Sequence, residues 1–178
     1  MNLPKRKPNR LNNYNYNTNG CYFVTICVKH REKILSRIVE HTKTNNVGAG
    51  VLDCPQIKLL KHGIIADKYI NQLNDFYDNV TVDKYVIMPD HIHLLLSVLN
   101  GQSGTPVPTN NNCNIVVSNF VSTFKRYCNK DYGANIWQRS FYDHIIRNQN
   151  DYNEVWQYID NNQTNWVLKN QSPQNAKI

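Results

Sequence analysis

No run of about 18 apolar residues occurs anywhere in the 178-residue chain, which excludes a membrane-spanning helix. The N-terminal MNLPKRKPNRLNNYNYN is basic, but no apolar stretch follows it, so no secretory leader is expected. Cysteine is sparse and unpatterned. Cys21, Cys27, Cys54, Cys113 and Cys128 are odd in number and lack any Cys-x-x-Cys spacing. A disulfide framework, a zinc ribbon and a dithiol redox centre are therefore not expected, and the usage is that of a reduced cytoplasmic protein. Acidic residues are in deficit, 13 Asp and Glu against 20 Lys and Arg. That balance suits a polyanionic partner, nucleic acid before a membrane surface. The length fits one domain that can bury a core without metal or disulfide staples.

Residues 1–20, rich in Asn, Pro, Lys and Arg, read as a flexible basic arm. Cys21 to Val28 is β-branched and aromatic and predicts a first strand. Residues 29–55 read as a long irregular connection, with breakers at Asn45-Asn46 and Gly48-Ala49-Gly50. From Gln56 to Tyr77, Ile57, Leu60, Ile64, Ile65, Tyr69, Leu73 and Phe76 recur at helical spacing, weakened locally by Gly63. Val80 to Met88 alternates as a strand, Pro89-Asp90 turns, and His91 to Val98 is the third strand of an antiparallel hairpin.

After a polar loop at 99–112, Asn114 to Lys130 predicts a second helix, with Phe120, Phe124 and Tyr127 inside and Lys125, Arg126 and Lys130 outside. Ser140 to Arg147 predicts a fourth strand, and Asp151 to Asn162 a last helix with a capping-box start. The tail, 169–178, is polar and expected to be disordered. The order is β-α-β-β-α-β plus one helix, the α+β ferredoxin-like antiparallel sheet, with the histidine strand in its interior.

Chemistry concentrates in "VIMPDHIHLLL", Val86 to Leu96. His91 and His93 point to the same strand face, with Cβ atoms about 6.5–7 Å apart. Leu95 continues that face, while Ile92, Leu94 and Leu96 line the other. Two imidazoles so placed can converge on one metal ion, but two ligands leave a site incomplete. A histidine triad would need a third histidine at position 95, which is Leu. On the last helix Tyr152, Val155, Trp156 and Ile159 form an apolar stripe, with Tyr158 and Asn162 one turn apart on its edge. An amide oxygen suits magnesium or manganese, and a tyrosine oxygen near a metal-bound phosphate can act as nucleophile. The structural alternative is that Tyr158 only packs against the sheet and Asn162 only caps its helix.

The segments MPDHIH, STFKRYCNK, NIWQRSFYDHIIRN and DYNEVWQYIDNN, in that order, together resemble the REP-associated tyrosine transposases. These are single-tyrosine HUH endonucleases (histidine, hydrophobic, histidine). The likeness runs from about Tyr22 to Trp166, within a single catalytic domain expected over 21–168. It implies that His91 and His93 bind a divalent metal, Mg2+ or Mn2+, that Asn162 is the third ligand, and that Tyr158 is the nucleophile. It further implies single-stranded DNA with a hairpin as partner, a 5′-phosphotyrosine intermediate, rejoining without a nucleotide cofactor, and action as monomer or homodimer. Family members often carry Asn-Pro where this chain has Asn162-Gln163. Without that proline the last helix is free to run on.

DNA contacts are expected from Lys5, Arg6, Lys7 and Arg10 in the arm, from Lys125 and Arg126, and from Arg139 and Arg147 around the fourth strand. Tyr142 could stack on bases or, with His144, support the site. Trp137 is expected in the core. The competing reading is a non-catalytic DNA- or RNA-binding ferredoxin-like module, a domesticated transposase among them. The Lys/Arg-Gly-aromatic strand pattern of RNA-binding sheets is absent.

Overall fold

The computed structural model describes residues 19–39, 55–99 and 115–171. The arm with Lys5, Arg6, Lys7 and Arg10, the breakers at 45–50, Cys54, Cys113, the polar loop from 100 onward and the tail beyond Gln171 lie outside the described residues.

Strand β1 (Gly20–Cys27) is followed by a 3-10 turn, Lys29–Arg31, and by β2 (Ser36–Val39). β2 pairs antiparallel with β3 (Gln56–Leu59) as a separate two-stranded ribbon. Next come α1 (Lys61–Phe76), β4 (Val80–Ile87), β5 (His91–Val98), α2 (Ile115–Tyr132), β6 (Tyr142–Ile146), α3 (Gln149–Asp160) and α4 (Asn162–Gln171). The main sheet is antiparallel with order β4-β5-β1-β6. With α1 and α2 as crossovers it is the ferredoxin-like arrangement, and β5 lies between β4 and β1.

Alternation splits the strands between two apolar layers. Ile92, Leu94 and Leu96 of β5 and Tyr22, Val24 and Ile26 of β1 join Phe120, Val121 and Phe124 of α2, Ile70 of α1, and Trp137. On the opposite face Leu95, Val86 and Met88 meet Val155 and Ile159 of α3. Three layers result, with α1 and α2 on one side of the sheet and α3 on the other.

Several expectations change. Gln56–Leu59 is strand, not the start of the helix. Ile57 and Leu59 satisfy a period of two as well as one of 3.6, and pairing from Ser36↔Leu59 to Val39↔Gln56 decides between them. That pairing also gives the connection after β1 more structure than an irregular loop. The buried side of α1 is Gly63, Ala66, Tyr69, Ile70 and Leu73, whereas Ile64 and Phe76 are 59% and 77% exposed. A Cβ on Gly63 would stand 2.0 Å from the Leu35 carbonyl oxygen. This close approach, tied by the Leu60 N–H to Leu35 O at 2.9 Å, fixes which side turns inward. Tyr127 is partly exposed and stacks on Tyr69 at 5.5 Å instead of entering the core.

The fourth strand is shorter than expected. Helix α3 starts at Gln149 with Asn148 as N-cap, its side chain accepting the Asp151 N–H at 2.9 Å. It stops at Asp160, so Asn162 opens a new helix, and α4 takes in Lys169–Gln171, the start of the expected disordered tail.

Ala exceeds Gly in helix propensity by about 1 kcal/mol. Even so, Gly63→Ala is expected to destabilise the protein by about 1–3 kcal/mol through overpacking against Leu35. A urea unfolding midpoint at or above that of the unaltered protein would contradict this packing.

Candidate active site on the histidine face

The register of β1 sets the site. Thr25 lies opposite His93 and Cys27 opposite His91, and Thr25 is opposite Tyr142 on its other side. Directly opposed residues share a face, so these side chains line the face away from α1 and α2. His91 and His93 are buried, and every ring nitrogen has a partner. The two Nε2 atoms are 3.0 Å apart. His91 Nδ1 contacts an Asp90 carboxylate oxygen in a short hydrogen bond, and the other Asp90 oxygen lies 3.6 Å from Arg31 Nη1. His93 Nδ1 is 2.8 Å from Thr25 Oγ1. Those contacts offset the cost of burying two polar rings in an apolar strand.

Burial pushes the His93 pKa down to about 3, and the neighbouring His91 and Arg31 add to the effect while Asp90 opposes it. Burial alone would raise the Asp90 carboxyl, but the His91 hydrogen bond and charge, with Arg31, outweigh it and hold Asp90 below its usual value. Arg31 reaches Asp90 from a corner where His30 and Arg31 both adopt left-handed backbone, at φ 53° and 57°. No glycine advertises that corner, and the sequence reading missed Arg31 and Asp90.

Helix α3 brings Tyr158 to this face. Its ring meets His93 edge-on at 5.4 Å and Phe23 at 5.8 Å, and Phe23 stacks on His93 at 4.9 Å. Tyr158 is 44% exposed, so the phenol sits at the rim of a buried pair. The chain bends at Asn161 (φ −85°, ψ 0°). Asn162 is buried and shares a face of α4 with Trp166, four residues on. Trp166 tilts over His91 with ring centroids 6.0 Å apart. Tyr158 and the two histidines described here belong to the same chain.

A bulge in β4 docks α3. Register shifts between Val82 and Lys84, so Asp83 and Lys84 both serve the α3 side, against the strict alternation expected from sequence. Asp83 accepts hydrogen bonds from Ser97 Oγ at 2.5 Å and Tyr152 Oη at 3.1 Å. Lys84 Nζ lies 2.6 Å from Asp160 and 4.0 Å from the Trp156 ring centroid.

The remaining nominated residues are scattered. His144 binds the Asp151 carboxylate at 2.9 and 3.0 Å. Tyr142 is exposed beside Thr25. Lys125 does not point freely outward. It donates to the carbonyls of Gln138 at 2.9 Å and Ser140 at 3.1 Å, and burial pushes its pKa down to about 8. Arg126 lies over Tyr127 on α2, across the sheet from the histidines. Arg139 and Arg147 are exposed on either side of β6.

The Nε2 atoms, 3.0 Å apart, are close enough that both would reach one divalent ion. Among the described residues no group of three His, Cys, Asp or Glu side chains could hold a metal.

No family model matches the chain. It is 28% identical over 176 residues to an uncharacterized protein of Haemophilus influenzae, spanning 90% of this chain and 89% of that protein. Among solved structures it is similar to a REP-associated tyrosine transposase bound to a REP hairpin. The TM-score is 0.56 at 18% identity, covering 93% of this chain and 74% of that one. No described helix is long and apolar enough to cross a membrane. The chain has the α+β fold of that transposase.

A His93 held neutral has a consequence for stability. The unfolded chain takes up a proton near pH 6.5, the folded His93 only near 3, so protons bind the unfolded state first on acidification. Metal-free protein is expected to lose stability from about pH 6.5 toward about 3. In His93→Gln that slope should flatten by up to about 1.4 kcal/mol per pH unit. Identical slopes in urea titrations of the two proteins would refute a neutral buried His93.

Proposed function

We propose that this protein is a metal-dependent single-stranded DNA endonuclease and strand transferase, a transposase of the HUH type acting at hairpin-associated sites. The observation that carries the reading is the packing of Tyr158 on His93, on the face where the Nε2 atoms of His91 and His93 converge. The order of sequence motifs and the likeness in fold to a hairpin-bound transposase support it.

His91 and His93 would hold Mg2+ or Mn2+ through Nε2, with Asn162 as third donor from the start of α4. When bound, the ion polarises the scissile phosphate and orients it. Tyr158 Oη then forms a bond to phosphorus while the bond to the 3′ oxygen breaks, and that oxygen leaves with a proton as a free hydroxyl. The product is a 5′-phosphotyrosine link. One phosphodiester has been exchanged for another, so a second 3′-hydroxyl can reverse the step and join new ends without a nucleotide cofactor.

Single-stranded DNA would pass along the rim at Tyr158, and half-exposed Arg31, beside Asp90, would supply positive charge on the His91 side of the pair. Lys33, over the Trp166 ring at 5.5 Å, adds to it. Both lie nearer the histidine pair than Arg126 does, while Arg139, Arg147 and the N-terminal arm would engage the strand or stem beyond the site. Against a pure binding module, α3 covers sheet surface that an RNA-binding sheet leaves open for stacking.

With a single-stranded hairpin oligonucleotide and Mn2+, the protein is expected to form a covalent adduct that survives denaturing electrophoresis. Tyr158→Phe should form none while melting normally, and His91→Ala or His93→Ala should reduce adduct formation by at least about 100-fold. An adduct persisting in Tyr158→Phe would remove Tyr158 from its role. Binding without any adduct across many hairpins would favour the non-catalytic DNA- or RNA-binding module.

A further inference from the structure

We propose that Trp166 and Lys33 form the seat of the nucleotide on the 5′ side of the scissile phosphate, the one that leaves with the free 3′-hydroxyl. Its base stacks on the Trp166 ring, and Lys33 takes the adjoining phosphate. Bound DNA then has one polarity along β5, with its 5′ part at the His91 end and its 3′ part at the His93 end. The proposal rests on the reading of the site as a nuclease that links Tyr158 to a 5′-phosphate.

The histidine pair has two unlike ends. At the His93 end, the Tyr158 ring meets His93 at 5.4 Å and Phe23 at 5.8 Å. Phe23 lies opposite Leu95, two residues beyond His93 and away from His91. Tyr158 therefore approaches from that end. At the other end, Trp166 tilts over His91 with ring centroids 6.0 Å apart. Lys33 Nζ lies 5.5 Å from the Trp166 centroid, and Arg31 reaches Asp90, the neighbour of His91, at 3.6 Å. The converging Nε2 atoms stand between the two ends.

A phosphate held at the pair is attacked by Tyr158 Oη from the His93 end. In phosphoryl transfer the attacking and leaving oxygens stand in line on opposite sides of phosphorus. The departing 3′ oxygen therefore points to the His91 end. There its nucleotide meets a half-buried indole beside an exposed ammonium. An indole face stacks any base, and a lysine ammonium pairs with phosphate. Lys33 now rests on the ring as a cation–π partner. Exposed and on a long stem, it can yield that place to a base and move to the phosphate. Once the bond breaks, Tyr158 holds the 3′-side strand covalently. The other strand, with its new hydroxyl, stays only through Trp166 and Lys33. That seat keeps the hydroxyl near for the reverse step, and on release it admits a different strand.

The test uses the unaltered full chain in EDTA, so that no strand is cut, with single-stranded hairpin oligonucleotides carrying 5-iodouracil at one position at a time. Ultraviolet crosslinks to aromatic side chains are located by mass spectrometry. Positions that crosslink to Trp166 are expected on the 5′ side of those that crosslink to Tyr158 or Phe23. Trp166→Leu should weaken oligonucleotide binding about 10-fold or more, while Trp166→Phe keeps it within about 3-fold. Lys33→Ala should make the salt dependence shallower by about 0.7 in log–log slope. The reverse order of crosslinks, none at Trp166, or undiminished binding in Trp166→Leu would overturn the proposal. The crosslink order is read on the unaltered protein, so a misfolded Trp166→Leu leaves the test intact. Failure of the DNA chemistry reads differently: the expected order in a protein that forms no covalent adduct sinks the nuclease and leaves the DNA track standing. An adduct with the reverse order sinks the track alone.

Discussion

The pairing of β1 with β5 is the constraint on which the site rests. Both strands are interior, and the apolar residues on one face fix their register. Tyr22, Val24 and Ile26 belong under α1 and α2 together with Ile92, Leu94 and Leu96. A slip of one residue would turn one strand's whole apolar set away from that core. At about 1.5–3 kcal/mol for each large side chain buried, exposing three of them costs about 4.5–9 kcal/mol, comparable to a domain's whole net stability. Thr25 is therefore held opposite His93 by contacts on the far side of the sheet, and the polar geometry inherits its accuracy from the apolar layer.

The tyrosine helix is attached by weaker means. Val155 and Ile159 supply the apolar contact with Leu95 and Met88, and the bulge in β4 adds two polar ties at the edge. Lys84 is largely covered, while its partner Asp160 is about half exposed. A pair of that kind contributes little to stability. Its value is in placement. With Asp83 on Tyr152, it fixes both ends of the stretch that carries Tyr158, so the nucleophile approaches His93 from a set direction.

The sequence was informative where a period was long or a motif had a fixed spacing. The order of elements along the chain, the shared face of His91, His93 and Leu95, and the burial of Trp137 could be read from alternation and hydropathy, and the inner position of the histidine strand followed from the ferredoxin-like order. What stayed hidden depends on contacts between distant segments. Four residues at Gln56–Leu59 fit helix and strand alike, and only the partner at Ser36–Val39 chooses. The inward face of α1 is set by Gly63 and Ala66, which carry almost no hydropathy signal. A one-residue bulge at Asp83 leaves no local mark, and neither does a left-handed corner built without glycine at His30 and Arg31. In the site, the two histidines were visible as a motif, while Asp90, Thr25, Arg31 and Trp166 belong to it only by position in space.

The unequal attachment of sheet and helix also bears on motion. β5 is tied by backbone ladders on both sides, whereas α3 is joined to the sheet through side chains alone. Segments held that way open at lower free energy than central strands, and they do so as units. Amide hydrogens of α3 should therefore exchange through a local opening that leaves β5 protected. The part that carries the phenol can leave its seat and return, while the imidazoles keep their places in a strand paired on both sides.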